Sequence, residues 1–471
     1  MSRSKRPKAT SDCDGSIFPD TIAAIITPPG EGGIAAVRIA GRQSLSLLSK
    51  CFQPVSHDKP KPFLMRLGNF IDRSGKPIDE VMTVYMPQGK SYTGQEQVEI
   101  FCHGGRMVVE LILGELLASG ARAAEPGEFT KLAFLAGRMD LSQAEAVAEI
   151  INANTEMSHL VAREHLSGAY TDAITRLRAM IISIIADIEA SIDFAEEQSK
   201  PEEQSGLLNS IADIRSDIDK LVKTYKGGRL LKEGFKVAIA GRPNAGKSSL
   251  FNLLLSRQRA LVTPTAGTTR DYLSEWIDLG GFPVNLIATA GLRTSGGQIE
   301  KASHKSAREV ISSADLVLWL IDLSHRSWKR NLEIDIKSLP NRRIILVGNK
   351  IDLVEKAPTM PLSLAKWKMF HTSCKTNRGL KSLREAVLEQ LRRDMPDLTS
   401  GLVVTSARHQ QKLKLALDAL RTAEKQIPQG ELQEIVAFTL REAVTAIDEI
   451  TGRVYSEEIL GEIFSRFCIG K

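Results

Sequence analysis

The spacing of apolar residues divides the chain into a mixed N-terminal region, two helical stretches and a region of buried strands. The N-terminal region contains strand-like runs at Ile34–Ile39 and Val98–Phe101 and a helical segment at Met107–Ala118. Glycine and proline interrupt these runs, as in domains that mix strands and helices. The pattern predicts an N-terminal α+β domain over residues 19–135.

Residues 139–225 are predicted to be helical almost throughout. Apolar residues recur there at steps of three and four, as on one face of a long helix. They are Leu166, Tyr170, Ile174, Leu177, Ile181, Ile184, Ile188 and Ile192. Lys200–Glu203, which contains a proline, is expected to end this helix. The helical pattern returns after Met395. We expect residues 136–232 and 396–471 to pack together as one discontinuous helical domain.

Residues 233–395 differ because apolar runs alternate with helical segments. The runs are Phe235–Ala240, Val284–Ala288, Leu316–Ile321 and Ile344–Val347. Strands that are apolar along their whole length are typical of a parallel sheet covered on both faces. The sequence therefore predicts a multidomain protein in which an α/β domain is inserted between two helical stretches.

Composition narrows the class of protein further. The 471 residues are 42% hydrophobic and 25% charged, as in ordinary globular proteins. No apolar run reaches the roughly 18 residues of a transmembrane helix, so no membrane association is expected. Five cysteines without a C-x-x-C pair argue against zinc and disulfides, and favour a reducing cytoplasm. The net charge of +6 permits an RNA partner. Residues 1–18 lack a secretory apolar region and are predicted to be a disordered basic tail, with transient RNA contact as the alternative.

A phosphate-binding motif, G-x-x-x-x-G-K-S, occupies Gly241–Ser248 directly after the run Phe235–Ala240. In a strand–loop–helix context, the backbone N–H groups of such a loop bind phosphates. Lys247 is expected to reach the β- and γ-phosphates, and Ser248 to bind Mg²⁺. A glycine-rich turn without a ligand is the alternative, and the segments that follow count against it.

Three further segments follow in the order found in GTPases. Thr269 stands where a switch loop supplies a second hydroxyl to Mg²⁺. The carboxylate of Asn349–Asp352 can accept two N–H bonds from guanine, and such sites reject analogues that lack the donor by about 10⁴–10⁵. Ser373–Lys375 resembles the loop that contacts the guanine oxygen. GTP is therefore predicted rather than ATP. The predicted nucleotide-binding residues are Asn244, Ala245, Gly246, Lys247, Ser248, Ser249, Thr263, Pro264, Thr265, Ala266, Gly267, Thr268, Thr269, Ala288, Thr289, Ala290, Gly291, Asn349, Lys350, Ile351, Asp352, Ser373, Cys374 and Lys375.

One motif departs from the GTPase pattern. The usual Asp-x-x-Gly reads Ala288–Gly291 here, so the carboxylate that supports Mg²⁺ through water is absent. Leu292 stands where many Ras-like proteins carry a water-orienting Gln. We expect weaker Mg²⁺ binding or slower hydrolysis. Either another group orients the water, or the protein acts mainly as a nucleotide-binding switch.

From about Asp20 to Lys471, the chain resembles the MnmE (TrmE) family of tRNA-modification GTPases. The resemblance rests on the GTPase motifs and on segments outside them. These segments are Asp20–Ala24, Thr27–Gly30, Arg38, His103–Gly105, Pro126–Phe129, Met139–Ala146 and the ending Phe467–Lys471.

The resemblance implies an N-terminal folate-binding and dimerisation domain, a discontinuous helical domain and an inserted Ras-like G domain. It also implies a homodimer that works with a flavin-dependent MnmG (GidA)-like protein as a heterotetramer, with FAD in that partner. The two proteins attach an aminomethyl or carboxymethylaminomethyl group to the wobble uridine of certain tRNAs. The one-carbon unit comes from 5-formyltetrahydrofolate or a related tetrahydrofolate.

The resemblance further implies that K⁺ drives dimerisation of the G domains and stimulates GTP hydrolysis. Asn244 matches the K⁺ ligand of the family, and Thr263, Thr265 and Thr268 match the loop that closes over the ion. The alternative for Asn244 is a turn residue. Glu300 matches the water-activating Glu, although Lys301–Ser306 departs from the family pattern, and a solvated surface Glu is the alternative.

For folate, the matching positions are Arg38, Glu99, Arg138 and Lys471. Cations suit the anionic tail and a carboxylate suits the pterin N–H groups, but without the resemblance all four are ordinary polar residues. Cys468 can serve as a nucleophile or acid at that site, with its thiol pKa lowered by Lys471. The alternative is a small buried residue that packs the terminal helix.

Three functions follow. The first is a K⁺-stimulated GTPase in a tRNA modification complex, with Glu300, Lys247 and Cys468 as catalytic residues. The second is a GTP-binding scaffold of the same complex, impaired in hydrolysis by Ala288. The third is a ribosome-assembly GTPase, against which the Cys468–Lys471 ending and Thr27–Gly30 count.

Overall fold

The computed structural model describes two compact units. It covers residues 20–56, 58–193, 201–256, 272–289, 308–338, 343–355, 358–360, 364, 367–395, 402–429 and 431–471. The first unit contains the described residues up to Glu145 together with Val454–Lys471, and the second contains Ala146–Arg453. The expected combination of α/β and all-α architecture is confirmed. Among the described residues, none of the helices is both long and apolar enough to cross a membrane.

The first unit is built on a seven-stranded sheet in the order β3-β4-β5-β6-β2-β1-β7. Among the described strands of this sheet, only the β1–β7 pair is parallel. The strands are β1 (Ile22–Ile25), β2 (Gly32–Ala40), β3 (Phe52–Pro54), β4 (Met65–Ile71), β5 (Pro77–Met86), β6 (Gln97–Gly104) and β7 (Arg122–Ala123). The predicted strands at Ile34–Ile39 and Val98–Phe101 lie inside β2 and β6 and are confirmed.

Helices Ser44–Cys51 and Arg106–Ala118 cover one face of this sheet. Leu47, Ile112 and Leu116 of these helices are buried against Val37 and Ile100 of β2 and β6. The predicted helix Met107–Ala118 is confirmed with one additional residue at its start. Helix Glu128–Leu135 completes the described helices of the N-terminal segment before Leu141–Asn152.

The C-terminal segment Val454–Lys471 groups with this first unit by its contacts. After helix Glu457–Ser465, the backbone N–H of Phe129 donates to the carbonyl of Lys471 at 3.1 Å. Gly470 has φ +95°, and a Cβ there would lie 2.3 Å from the carbonyl oxygen of Ile25. Position 470 therefore requires glycine, because the Cβ of any other residue would clash with the backbone of β1.

The second unit contains a six-stranded sheet in the order β13-β12-β11-β8-β10-β9. The strands are β8 (Phe235–Gly241), β9 (Tyr272–Leu279), β10 (Phe282–Thr289), β11 (Leu316–Asp322), β12 (Ile344–Asn349) and β13 (Met369–His371). The described neighbours are all parallel except β9 and β10. The four predicted strands are confirmed as β8, β10, β11 and β12. Helices Lys247–Ser256, Trp328–Ser338 and Leu380–Arg392 and the 3-10 turn Ile351–Leu353 accompany the sheet.

The helical part of the second unit comprises the end of Leu141–Asn152 and helices Glu156–Ser167, Ala169–Asp193, Pro201–Glu233, Ala407–Gln426 and Gln433–Thr451. The last four share a core formed from both helical stretches. Residues Tyr170 to Ile188 of the predicted stripe are buried in this core beside Leu417 and Leu440. The expected packing of the two stretches is therefore confirmed as far as Thr451. The predicted single long helix is wrong at its start, because Gly168 adopts φ +93° and ends the preceding helix, which holds Leu166.

The inserted sheet and the helices are continuous in their packing. The strands of the sheet share a buried core with four residues of the helical stretches, which are Val161, Leu230, Leu231 and Val403. Because of this shared core, most of the helical stretch 136–232 lies in the same compact unit as residues 233–395, although the two were predicted as separate domains. The division between the two compact units falls within helix Leu141–Asn152.

Candidate functional site

The phosphate-binding motif forms the predicted strand–loop–helix element. β8 ends at Gly241, and helix Lys247–Ser256 begins at the motif lysine. Gly241 has φ +144°, and a Cβ there would lie 2.4 Å from the carbonyl oxygen of Leu320. Asn244 adopts φ +62°, a left-handed conformation that Asn tolerates better than most residues. Left-handed residues of this kind occur in loops that bind phosphate through backbone N–H groups.

Lys247 is folded back over this loop. Its ammonium donates to the carbonyls of Gly241 at 3.0 Å and Arg242 at 3.1 Å. The residue is buried, and burial lowers the pKa of its ammonium. Within the described part of the chain, Lys247 forms no ion pair. A buried cation held by neutral carbonyls is suited to an anionic ligand, since an incoming phosphate would supply the missing counter-charge.

Asn349 connects the phosphate-binding loop to the loop at residues 373–375. Its side chain is 2% exposed, and its Nδ2 donates to the carbonyl of Ala245 at 2.9 Å. Its Oδ1 accepts the N–H of Cys374 at 3.2 Å. Gly246 has φ +100°, and a Cβ there would lie 2.2 Å from that Nδ2. The structure thus brings two predicted nucleotide-binding segments together through one amide.

The residues after Asn349 turn sharply. Lys350 has φ +63°, and its ammonium donates to Asp322 at 2.6 Å. Ile351 is buried, whereas Asp352 is exposed and its carboxylate makes no hydrogen bond or ion pair within the described residues. Asp352 can therefore accept hydrogen bonds from a ligand.

The loop at residues 373–375 uses part of its own hydrogen-bonding capacity. Ser373 is buried, its N–H donates to the carbonyl of Arg378, and its Oγ accepts the N–H of Thr376. Burial raises the pKa of the Cys374 thiol, and the half-buried side chain packs against the core of the sheet. Lys375 is exposed. The N–H of Cys374 donates to Asn349, so this group is not open to the guanine oxygen in this structure.

Ala288 lies in the core, not on the surface of the site. It is 2% exposed in β10, opposite Ile239 of β8, and belongs to the shared apolar core.

Ser248 and Ser249 are at the start of helix Lys247–Ser256, and both are exposed. Several predicted residues lie outside the described part of the chain, and for Thr289 only the backbone is described. Those outside are Thr263, Pro264, Thr265, Ala266, Gly267, Thr268, Thr269, Ala290, Gly291 and Glu300.

A second cluster lies in the first unit, around Arg38 and Glu99. These residues are directly opposite each other on β2 and β6, and Arg38 Nη2 donates to Glu99 at 2.8 Å. The guanidinium lies 5.4 Å from the ring centroid of Tyr92 and 5.3 Å from that of Phe129. This arrangement fixes the cation by charge and by two aromatic faces.

The two other residues predicted for this cluster lie beside it. Arg138 donates to the carbonyl of Gly89, in the turn that leads to Tyr92. The carbonyl of Lys471 accepts the N–H of Phe129. Cys468 is exposed, so the alternative that it is a small buried packing residue is wrong. Phe467 fills that role instead, since it is buried against Phe464.

Sequence reasoning missed three residues at these sites. Asp322 stands at the carboxyl end of β11, and the position alone was a usable signal because ligands bind at the carboxyl ends of parallel strands. Tyr92 had no signal, since it lies in an irregular segment. Phe129 lay within the Pro126–Phe129 marker without an assigned role.

Comparisons with known proteins extend over nearly the whole chain. A family profile described as MnmE helical domain matches residues 141–468, and one described as GTP-binding protein TrmE N-terminus matches residues 21–138. A tRNA modification GTPase MnmE of Carboxydothermus hydrogenoformans is 41% identical over 465 residues, which cover 96% of this chain and 99% of that protein. Its counterpart from Akkermansia muciniphila is 40% identical over 455 residues, with coverages of 96% and 99%. Among solved structures, the G domain of the T. maritima FeoB iron transporter is 29% identical, covers 33% of this chain and 98% of that chain, and has a TM-score of 0.26.

Proposed function

The chain belongs to the MnmE family of tRNA modification GTPases, and from this membership we propose how it works. It binds and hydrolyses GTP with Mg²⁺ and K⁺. With a flavin-dependent MnmG (GidA)-like protein, it adds an aminomethyl or carboxymethylaminomethyl group to the wobble uridine of certain tRNAs. A tetrahydrofolate derivative such as 5-formyltetrahydrofolate supplies the one-carbon unit. The ribosome-assembly alternative gains no support from either family match.

The observation that carries the proposal is the buried ammonium of Lys247, which has no ion-pair partner among the described residues. It lies over a loop with left-handed residues at Asn244 and Gly246, next to the start of a helix. A helix N-terminus and consecutive N–H groups favour an anion at this position. The β- and γ-phosphates would replace the two carbonyls that now accept from Lys247, and they would offset its desolvation.

We assign guanine recognition to Asp352. Asn349 contributes indirectly, because its amide holds the phosphate-binding loop and the loop at residues 373–375 together. The carboxylate of Asp352 is exposed and without a protein partner among the described residues, so it can accept the two N–H groups of the guanine edge. Asp352→Asn should lose most of the preference for GTP over xanthosine triphosphate, because Asn would offer one donor where two acceptors are needed. Unchanged affinity for both nucleotides would contradict this assignment.

The residues present fit Mg²⁺ only in combination with phosphate. Within the described residues there is no cluster of three acidic, His or Cys side chains that could hold a metal. We therefore propose the hydroxyl of Ser248 as the Mg²⁺ ligand among the described residues. This fits an ion that keeps several waters and bridges phosphate oxygens. Asn244 is exposed at the loop and can offer its amide oxygen to K⁺. Bound there, the cations would stabilise charge that develops on the phosphates. Thr263, Thr265, Thr268 and Thr269 are proposed as further ligands, and Glu300 as the group that activates water.

A specific observation supports the alternative of a hydrolysis-impaired scaffold. Ala288 is enclosed in the core between β8 and β9, and a carboxylate is missing at the position where GTPases support Mg²⁺ through water. If no other group compensates, GTP binding would still order the site while turnover would be slow. The same complex would then use this chain as a nucleotide-dependent scaffold.

Folate binding is assigned to the cluster around Arg38. Glu99 can accept N–H groups of a pterin, whereas Arg38, Arg138 and Lys471 can bind its anionic tail. Tyr92 and Phe129 hold Arg38 from two sides, and Arg38 and Gln97 both donate to Glu99 Oε1. Glu99 Oε2 is therefore the carboxylate oxygen that a pterin would use. Exposure of Cys468 at the end of the chain is consistent with a role as nucleophile or acid. Arg38→Met should therefore weaken binding of a folate analogue while GTP affinity stays unchanged.

An exposed apolar face of the first unit supports a homodimer. Leu67 of β4 and Met82 of β5 are directly opposite each other and are 46% and 37% exposed. Met65 is also exposed and shares this face. Val84 of β5 is opposite Met65 on one side and Glu99 on the other, so the apolar face continues to Glu99. A second copy that paired here would bury apolar surface beside both folate clusters. One such dimer with two flavoproteins would give the heterotetramer expected of the family. Since tRNA is the substrate, we propose that the protein acts in the cytoplasm.

GTP turnover in KCl against NaCl at equal ionic strength tests this function. Native protein and an Ala288→Asp variant are compared with Mg²⁺ present. Strong stimulation by K⁺ in the native protein supports the dimerising GTPase. No turnover of the native protein in either salt, with turnover restored in the variant, supports the scaffold. A native protein that neither binds nor hydrolyses GTP would contradict both.

A further inference from the structure

A carboxylate outside the nucleotide motifs holds the lysine of the guanine-binding segment. Asp322 is the last residue of β11 and is opposite Asn349 in the strand register. Its Oδ2 accepts from the Lys350 ammonium at 2.6 Å. Its Oδ1 accepts the N–H of Ser324 at 3.0 Å and the Ser324 hydroxyl at 2.6 Å. The two carboxylate oxygens therefore act separately, since one closes a turn and the other holds Lys350.

Without Asp322, Lys350 has room to leave this position. A cavity of about 520 Å³ opens beside the pair and is lined by both residues, by Asn244 and Ala245 of the phosphate-binding loop, and by helix Trp328–Ser338. The side chains of Lys350 and Asp322 are 31% and 21% exposed, so the pair is partly desolvated but not enclosed. A long lysine side chain loses rotamer freedom when it is fixed, so it would spread into this space if its partner were removed.

The other long cationic side chain that lines this cavity, Arg242, is paired with a different carboxylate. Arg242 donates to both carboxylate oxygens of Asp335, on helix Trp328–Ser338. Arg242 therefore does not compete for Asp322. Lys350 directly follows Asn349, whose amide bridges the two nucleotide-binding loops, and its backbone is left-handed with φ +63°.

We propose that Asp322 is a positioning residue for nucleotide binding, which acts by holding Lys350 against the phosphate-binding loop. Lys350 then forms one wall of the guanosine site beside Asn244 and Ala245. The role of Asp322 is to slow the release of both GDP and GTP. Its two carboxylate oxygens are engaged by Lys350 and Ser324, so we expect no effect on the hydrolysis step. The inference rests on the proposed nucleotide site.

The test is the dissociation rate of a fluorescent GDP analogue from the full chain. Asp322→Asn keeps an acceptor for Ser324 and removes the charge that holds Lys350. We expect release to become about fivefold faster, the size of effect of a partly exposed ion pair. The KM for GTP should rise while kcat stays the same. The matched control is Glu389→Gln, which removes a surface carboxylate paired with Arg393 in the same sheet domain and should leave release unchanged.

A double-mutant cycle separates this role from a merely structural one. Lys350→Met should speed release to a similar extent, and Asp322→Asn should add nothing in that background. If the double variant released the analogue faster by the product of the two single effects, the proposal would be overturned, because Asp322 would then act through contacts other than Lys350. So would a Ser324→Ala variant that reproduces the whole effect, or unchanged release in Asp322→Asn. If Asp322→Asn does not fold, Lys350→Met removes the same ion pair from its other side, and unchanged release in that variant would overturn the proposal. A native chain that binds no nucleotide would refute the proposed site itself, which is a different result.

Discussion

The amide of Asn349 is the most informative single group to remove. It is 2% exposed and joins the phosphate-binding loop to the loop at residues 373–375 through two hydrogen bonds. Asn349→Ala leaves the buried carbonyl of Ala245 and the half-buried N–H of Cys374 without these partners. Both loops then lose the group that sets their separation.

The size of the effect follows from the burial of the two orphaned groups. A buried polar group left unsatisfied costs about 1–3 kcal/mol, and a half-buried one costs near the lower end of that range. The substitution should therefore cost about 2–4 kcal/mol in total. Since the ligand must order the same two loops, we expect about 2 kcal/mol to appear in nucleotide binding, which corresponds to roughly thirtyfold weaker binding.

Fluorescence titration with a GDP analogue measures this loss, with thermal unfolding recorded on the same samples. Asn285→Ala is a suitable control, because its hydrogen bond with Ser274 lies between β9 and β10, away from the loops. Binding that is weakened in Asn349→Ala and not in Asn285→Ala supports the reasoning. An unchanged dissociation constant in Asn349→Ala, in a folded protein, would refute it.

Three further predictions concern other parts of the fold. Arg178→Met should lower the stability of the helical stretches by about 2 kcal/mol, because it removes both close hydrogen bonds of the Asp448 carboxylate, which is 9% exposed and retains Arg453 at 3.9 Å; an unchanged calorimetric transition would speak against this. The hydrogen bond to Asp79, and then its charge, raise the pKa of His103, so the pair stabilises at low pH and its contribution is lost as pH rises through the raised pKa. NMR titration should show that Asp79→Asn returns this pKa toward its ordinary value, and no change would disprove the pairing. Gly470→Ala should lower the melting temperature of the first unit, because its Cβ would meet a backbone carbonyl; a native melting curve would contradict the tight packing of the terminus.

Much of the fold could be predicted from apolar runs, and the failures have physical reasons. β8, β10, β11 and β12 are buried on both faces and therefore read as continuous apolar segments. β9 was missed because it is an antiparallel edge strand with exposed positions, such as Leu273. The break at Gly168 was missed because the apolar stripe continues across two successive helices.

The candidate site was predictable where chemistry depends on consecutive residues. The loop around Lys247 and the segment around Asp352 are local motifs, and each can be read from its spacing. The partners of Lys350 and Arg38 could not be read in this way, because Asp322 and Glu99 lie far away in sequence and reach them only through strand pairing. The placement of Lys471 beside Phe129 likewise depends on tertiary packing, which residue order does not reveal.

Reconstituted modification of tRNA is the decisive experiment for the proposed function. The native chain is combined with an MnmG-like flavoprotein, a tetrahydrofolate one-carbon donor, K⁺ and unmodified tRNA, and wobble nucleosides are measured by mass spectrometry. A modified uridine should form in the presence of GTP and should be lost in Lys247→Ala. Equal modification without GTP, or with Lys247→Ala, would contradict a GTP-dependent role in tRNA modification.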